Sequence, residues 1–231
     1  MTTTRLHYVY DPLCGWCYAV APLVQAARHV LPVIAHGGGM LAGSSSKNIS
    51  PEWRDHVMPH DQRIAELSGQ PLGESYKNVL LRDQSVRLDS EPPTTAVLAA
   101  EQLDGRGLDL LSSLYTAHYF HGRRIAEKEV LIDIAEEIGI RRTAFETTYE
   151  TTFGITTHTH FAESRALLAR LGGRGFPTFA LEKDGQFQTL DFARYFGKTD
   201  EWKVALRRHA VVADAAQGNT AAGCGPDGCS I

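Results

Sequence analysis

The sequence predicts an α/β fold with a helical segment inserted into it, on three observations. Short runs rich in β-forming residues lie towards both ends of the chain, at 6–10, 33–36, 178–181 and 187–190. The long middle, 44–160, carries helical rather than alternating periodicity. A helical stretch separates the first two β-runs, and strands joined through a helix pair in parallel. The division that follows is a sheet-bearing unit formed by 1–43 together with 161–212, an inserted helical subdomain at 44–160, and a flexible tail at 213–231.

Residues 5–10 read as the first strand because Leu6-His7-Tyr8-Val9-Tyr10 alternates and is rich in β-formers. Residues 15–31 read as a helix. Pro22 either kinks it by removing an i→i−4 bond or opens the first turn of a helix that starts later. Val33–His36 suits a second strand, which Gly37-Gly38-Gly39 breaks. That glycine run lacks the spacing and the following Lys-Ser/Thr of a phosphate loop.

Within the insertion, a helix over 94–104 opens after Pro92-Pro93. A second, over 108–120, places Leu110, Leu111, Leu114 and His118 on one face. A third, over 127–138, aligns Val130, Leu131, Ile134 and Ile138 and is ended by Gly139. Residues 161–171 form another helix, with Phe161, Leu167, Leu168 and Leu171 inward, ended by Gly172-Gly173. The runs Thr178–Leu181 and Phe187–Leu190 flank Asp184-Gly185, a strong hairpin signal. A last helix, about 200–212, packs Trp202, Leu206 and Val212. The tail is rich in Ala and Gly, with Asn219 among them, and has no apolar periodicity.

Composition bounds the function. At 231 residues the chain can bury a sizeable core. A net charge of −4 argues against nucleic acid as the main partner, and no apolar span is long enough to cross a membrane. Met1–Arg5 runs into the first strand without a basic n-region and an apolar h-region. The expected location is the cytoplasm; the rival is a mature secreted protein whose leader has been replaced. Four cysteines in two close pairs make a poor structural cross-linking framework. In a reducing compartment such pairs are catalytic or bind metal.

The chemistry concentrates at Cys14-Gly15-Trp16-Cys17, a strand-to-helix turn. Unpaired N–H groups at a helix N-terminus stabilise a thiolate, the species that attacks disulfides. In this reading Cys14 is the nucleophile and Cys17 the resolving thiol. Two bland readings stand beside it: an inert buried pair, or half of a zinc site completed by Cys224 and Cys229. Trp16 either covers the disulfide and meets a peptide, or simply packs against the helical subdomain. Asp11 could relay a proton, although a loop carboxylate that ends the first strand is the simpler account. His158 and His160 sit two apart, so they do not share a helix face and call for no metal. His118 and His209 read as packed helix-face histidines. A proline at the mouth of a β-run, Pro177, fits either a cis turn or a simple strand-entry turn.

Three short places carry a family resemblance: Asp11-Pro12-Leu13-Cys14-Gly15-Trp16-Cys17-Tyr18, the turn Gly175-Phe176-Pro177-Thr178, and the terminal pair in Cys224-Gly225-Pro226-Asp227-Gly228-Cys229. The chain resembles the DsbA-like branch of the thioredoxin superfamily and is most similar there to the FrnE-like thiol:disulfide oxidoreductases. The resemblance implies a thioredoxin-like fold with an inserted helical subdomain and a dithiol–disulfide oxidoreductase or isomerase acting on protein thiols. It implies no cofactor and no metal. The implied partners are protein or peptide disulfides and dithiols, with glutathione or a thioredoxin-type protein as reductant. It also implies that a cis Pro177 faces the cysteines and that the Phe176 backbone pairs with an extended substrate, a form of strand addition. The bulk of Phe176 departs from the smaller β-branched residue common in relatives and bears on substrate preference.

The tail pair Cys224–Cys229 is separated by turn-forming residues. Eleven residues, 213–223, tether it to the last helix. Such a Gly-rich segment spans roughly 18 Å on average and about 40 Å when stretched, enough to visit Cys14 and Cys17. FrnE-like relatives carry a comparable second pair. Two rival functions remain: a glutathione-dependent small-molecule isomerase or transferase on the same scaffold, whose members usually replace the nucleophilic cysteine by serine, and a non-enzymatic peptide-binding or chaperone module.

Overall fold

A computed structural model describes residues 4–215, with side chains through residue 209. The chain begins with strand β1 (Arg5–Tyr10), then helices α1 (Gly15–Ala19) and α2 (Ala21–Arg28), then strand β2 (Val33–Gly37). The expected single helix over 15–31 is thus two. The break falls at Val20, and Pro22 sits in the first turn of α2, where its missing N–H leaves no intrahelical bond unmade. β1 and β2 pair in parallel, Val9 opposite His36.

The middle segment contains strand β3 (Lys47–Asn48), helices α3 (Pro51–Ser68) and α4 (Glu74–Asn78), and strand β4 (Arg87–Leu88), which pairs antiparallel with β3. Helices α5 (Glu91–Asp104), α6 (Gly107–Tyr119), α7 (Lys128–Glu137) and α8 (Arg142–Thr152) follow, then the long α9 (Ile155–Arg170). Pro92 and Pro93 lie inside the first turn of α5 rather than before it. The helix expected over 161–171 starts earlier, at Ile155. Its Phe161 is buried, while Leu167, Leu168 and Leu171 are half-buried.

Strands β5 (Thr178–Lys183) and β6 (Gln186–Thr189) form the expected hairpin. Asp184 and Gly185 both take positive φ, 51° and 73°, the twist that suits a two-residue hairpin loop. Helix α10 (Thr199–Ala215) closes the described chain. Trp202 and Leu206 are buried as expected; the side chain of Val212 lies outside the described residues, as does the tail with Cys224 and Cys229.

The four-stranded sheet has the order β2-β1-β5-β6, with β5 antiparallel to both neighbours. Strand alternation sends Leu6, Tyr8 and Tyr10 to one face. There Tyr8 stacks on Phe179 at 4.9 Å, and Phe179 meets the edge of Trp202 at 5.7 Å. Trp202 Nε1 donates to the Leu23 carbonyl at 3.1 Å, fastening α10 to α2 on this face. The opposite face carries His7, Val9 and His36, with α9 against β2. Placing β1 between β2 and β5 has a functional consequence. The loop after β1, the glycines after β2 and the turn before β5 all emerge at the same end of the strands.

Candidate active site

The turn after β1 is set by Asp11. Its carboxylate is fully buried and accepts three bonds, from the Leu13 N–H (2.9 Å), the Met40 N–H (2.6 Å) and the Ser90 hydroxyl (2.8 Å). Three separate segments are tied by one side chain. Burial pushes the Asp11 carboxyl up to about 6, against the opposing pull of these bonds. The expectation of a plain loop carboxylate holds for its position after β1 and misses its burial. The signal available in sequence was only an Asp before Pro12.

Cys14 follows as the N-cap of α1. Its carbonyl accepts the N–H groups of Cys17 (2.9 Å) and Tyr18 (3.1 Å), which winds the first turn and brings the two cysteines to one side. Both are free thiols; Cys14 is 6 % exposed and Cys17 fully buried. Burial pushes the Cys17 thiol well above its ordinary value, and a hydrogen bond to the Cys14 sulfur adds to the rise. Beneath the pair, the Tyr8 hydroxyl donates to the Cys17 carbonyl at 3.4 Å, and the Tyr115 hydroxyl donates to the Asp11 carbonyl at 3.3 Å. The two hydroxyls lie 3.2 Å apart. Tyr115, on α6, thereby ties the inserted helices to the cysteine turn.

The Phe176–Pro177 peptide is cis, and the Phe176 carbonyl oxygen lies 3.5 Å from Cys14 Sγ. Thr178 opposite Val9 in the β1–β5 register fixes this approach. The bulk of Phe176 finds its place at Gly38: a Cβ there would lie 2.1 Å from two atoms of the Phe176 ring. Arg165 of α9 holds the glycine run by donating to the Gly38 and Gly39 carbonyls, at 2.8 and 2.6 Å. Trp16 is half-buried, and its ring lies 6.0 Å from that of Phe196, next to the sheet-bearing unit rather than on the inserted helices alone.

Trp16 also forms part of a cleft of about 280 Å³ on the other side of Cys14, walled by α1 and α3. Trp53, Ile64, Tyr76 and Tyr119 make it largely apolar, and Asp61 and His118 are its buried polar groups. A side chain on Gly15 would press into the α3 wall, with its Cβ 2.8 Å from Ile64 Cδ1 and 3.1 Å from Asp61 Oδ1. Asp61, Tyr76 and the role of His118 in this wall had no motif to reveal them. His118 is a buried helix-face histidine as expected, held near-neutral by burial that lowers it to about 4. His209 is half-buried on α10. His158 pairs with Glu91 at 2.9 Å, while His160 accepts the Gly37 N–H at 2.9 Å, so the two serve different neighbours. The structure brings together Cys14, Cys17, Trp16, Phe176 and Pro177; Cys224 and Cys229 are outside the described residues.

The sequence model of the DSBA-like thioredoxin domain matches residues 5–201. Among solved structures, the chain is similar to the cytosolic disulfide reductase DsbM from Pseudomonas aeruginosa. The two are 49% identical over 90% of this chain and 99% of that one, with a TM-score of 0.85. A structure of the same reductase with GSH matches at 47% identity over 90% of this chain and 99% of that one, TM-score 0.83. Pseudomonas aeruginosa DsbA, 15% identical over 93% of this chain and 86% of its own, with a TM-score of 0.52, shares the fold. Comparison with curated protein sequences finds no match.

Proposed function

The chain belongs to the DSBA-like thioredoxin domain family, and from that premise we propose that it is a thiol:disulfide oxidoreductase that reduces protein disulfides in the cytoplasm. The observation that carries this reading is the arrangement of two cysteines at a strand-to-helix turn, with the outer one beside the backbone that precedes Pro177. The half-identical relative described as a cytosolic disulfide reductase supports the direction and the compartment.

In this mechanism the Cys14 thiolate attacks one sulfur of the substrate disulfide, and the other leaves as a thiolate. Cys17 then loses its proton and attacks Cys14 Sγ, releasing the second substrate thiol. Two electrons pass to the substrate and the enzyme pair becomes a disulfide. Two thiols of the glutathione class return it to the dithiol and leave as their own disulfide. That choice of reductant is supported by the relative solved with GSH. Burial of Cys17 keeps its proton in place until the mixed disulfide forms. Trp16, Phe176 and Pro177 would line the substrate chain, which pairs with the Phe176 backbone.

Within the family we group the chain with the FrnE-like oxidoreductases on its tail pair, Cys224 and Cys229, and assign that pair an auxiliary role in exchange with Cys14–Cys17. Deleting residues 220–231 tests that role: unchanged turnover and unchanged peroxide sensitivity would remove it. The function itself is tested by following reduction of a protein disulfide such as insulin with glutathione as electron source. Glutathione-dependent turnover of the protein disulfide is expected. Failure to exceed the uncatalysed rate, with glutathione or with dithiothreitol, would overturn the proposal.

A further inference from the structure

The reaction above involves the cleft beside Cys14 only through Cys14 and Trp16 and gives no role to its α3 wall. This cleft, about 280 Å³, has room for a long side chain with space to spare, and Cys14, Gly15 and Trp16 form one of its walls. Its ionisable side chains are Asp61 and His118, which are buried, and His56 and His60, which are exposed at its rim. Asp61 is 5 % exposed; its Oδ2 accepts the Tyr76 hydroxyl at 2.7 Å, and Oδ1 faces Gly15. His118, also 5 % exposed, keeps Nδ1 without a hydrogen-bond partner. Among the described residues that line the cleft there is no Lys or Arg, and Asp61 is the only carboxylate.

Resting on the oxidoreductase reading, we propose that this cleft recognises a basic side chain, lysine or arginine, adjacent to the attacked cysteine of a disulfide substrate, with Asp61 as the counter-charge. A purely apolar occupant would seal Asp61 Oδ1 from water with nothing to bond, which is unfavourable, whereas His118 Nδ1 is already buried without a partner in the empty cleft. An acidic occupant would meet the carboxylate with like charge. A lysine or arginine satisfies the requirements together. Its methylene stem lies along Ile64 and the aromatic walls, and its charged head reaches Asp61. The aromatic wall already accommodates a cation elsewhere on its surface, since Lys47 Nζ lies 4.3 Å over the Trp53 ring. The carboxylate lies against Gly15, one residue from the nucleophile, so the recognised side chain must be close in sequence to the substrate cysteine. Protein disulfides flanked by basic residues are the substrate class this wall selects.

The test uses short peptides with one cysteine, presented as its mixed disulfide with thionitrobenzoate, and lysine, arginine, norleucine or glutamate beside it. The wild-type enzyme and Asp61→Asn are compared by kcat/KM. The wild type should prefer lysine over norleucine by about tenfold, the scale of one favourable charge contact, and discriminate against glutamate. In Asp61→Asn the lysine-to-norleucine ratio should collapse towards one. Equal turnover of lysine and norleucine peptides by the wild type would overturn the proposal without any variant, and so would a lysine preference that survives in Asp61→Asn. Absence of turnover with every peptide would overturn the oxidoreductase reading itself, and this inference with it.

Discussion

The thiol of Cys14 stands 3.5 Å from the carbonyl oxygen of Phe176, across 162 positions of chain. The contact is a product of topology. β1 delivers Cys14 to one end of the sheet, and its antiparallel partner β5 begins at Thr178, opposite Val9, so the turn before β5 must pass the same place. The outer thiol lies beside the backbone that enters β5, which is what strand addition of an extended peptide disulfide requires of a partner: a nucleophile next to backbone with which the peptide can pair.

The two cysteines should therefore differ in what their loss does. Cys14→Ser is expected to reduce turnover of a protein disulfide to the uncatalysed rate. Cys17→Ser keeps the nucleophile and loses the thiol that resolves the intermediate, so it should accumulate a covalent complex with substrate. Mass spectrometry of the Cys17→Ser protein after incubation with an oxidised substrate reads this directly. Full activity in Cys14→Ser would refute the assignment of nucleophile.

Gly38→Ala should be costly, because the added Cβ would lie 2.1 Å from the Phe176 ring. The ring is stiff and the Arg165 bonds hold the glycine backbone from the other side, so little can yield. Overpacking of this kind costs about 1–3 kcal/mol. In a Phe176→Val background the same substitution should cost much less, and the difference is the coupling between the two positions. Urea unfolding of the four proteins measures it; additive losses would show that the two side chains do not compete for space.

Gly15→Ala should be milder. The nearest atom to its Cβ is Ile64 Cδ1, at 2.8 Å, the end of a side chain that can rotate, whereas Gly38 meets an aromatic ring. We expect a loss of about 1 kcal/mol, at the low end of overpacking costs, partly recovered by Ile64→Val. A Gly15→Ala loss equal to that of Gly38→Ala would mean that α3 cannot give way at the cysteine turn.

The sheet was legible in the sequence because each strand announces itself locally. Tyr8 and Val9 lie in an alternating run, and Asp184-Gly185 marks a hairpin that needs two positive φ values. The cysteine turn and the proline turn were legible for the same reason. Other features were not. β3 and β4 are two residues each, too short to have a period. Helix α3 runs through Pro59 and buries only Asp61, Ile64 and Ser68, so no apolar stripe marks it. The environment of Asp11 depends on Met40 and Ser90, and that of Phe176 on Gly38; neither pairing follows from local spacing. The cleft wall is the extreme case: Asp61 sits on a mostly polar helix and becomes buried because α3 packs against α1 and Tyr76 of α4 lies over its carboxylate.

That burial has a signature in pH. Desolvation raises the Asp61 carboxyl from 3.8 to about 6, against the pull of the Tyr76 hydroxyl. A carboxyl raised in the native state binds its proton more tightly there than in the unfolded chain. Its contribution to stability is complete below the unfolded value and is lost as the pH rises through about 6. A rise from 3.8 to about 6 corresponds to about 3 kcal/mol at most. Asp61→Asn has no such titration, and its amide oxygen can still accept from Tyr76. The stability of the wild type relative to Asp61→Asn should therefore fall between about pH 4 and about pH 7 and level off above that. Tyr76 adds no titration in this window, because burial raises it well above its ordinary value. Urea midpoints of the two proteins, taken at closely spaced pH values, give the difference curve. Parallel curves across the window would show that the Asp61 carboxylate keeps its solvation in the folded protein, and the account of the cleft wall as a desolvated, charge-selective surface would fall with it.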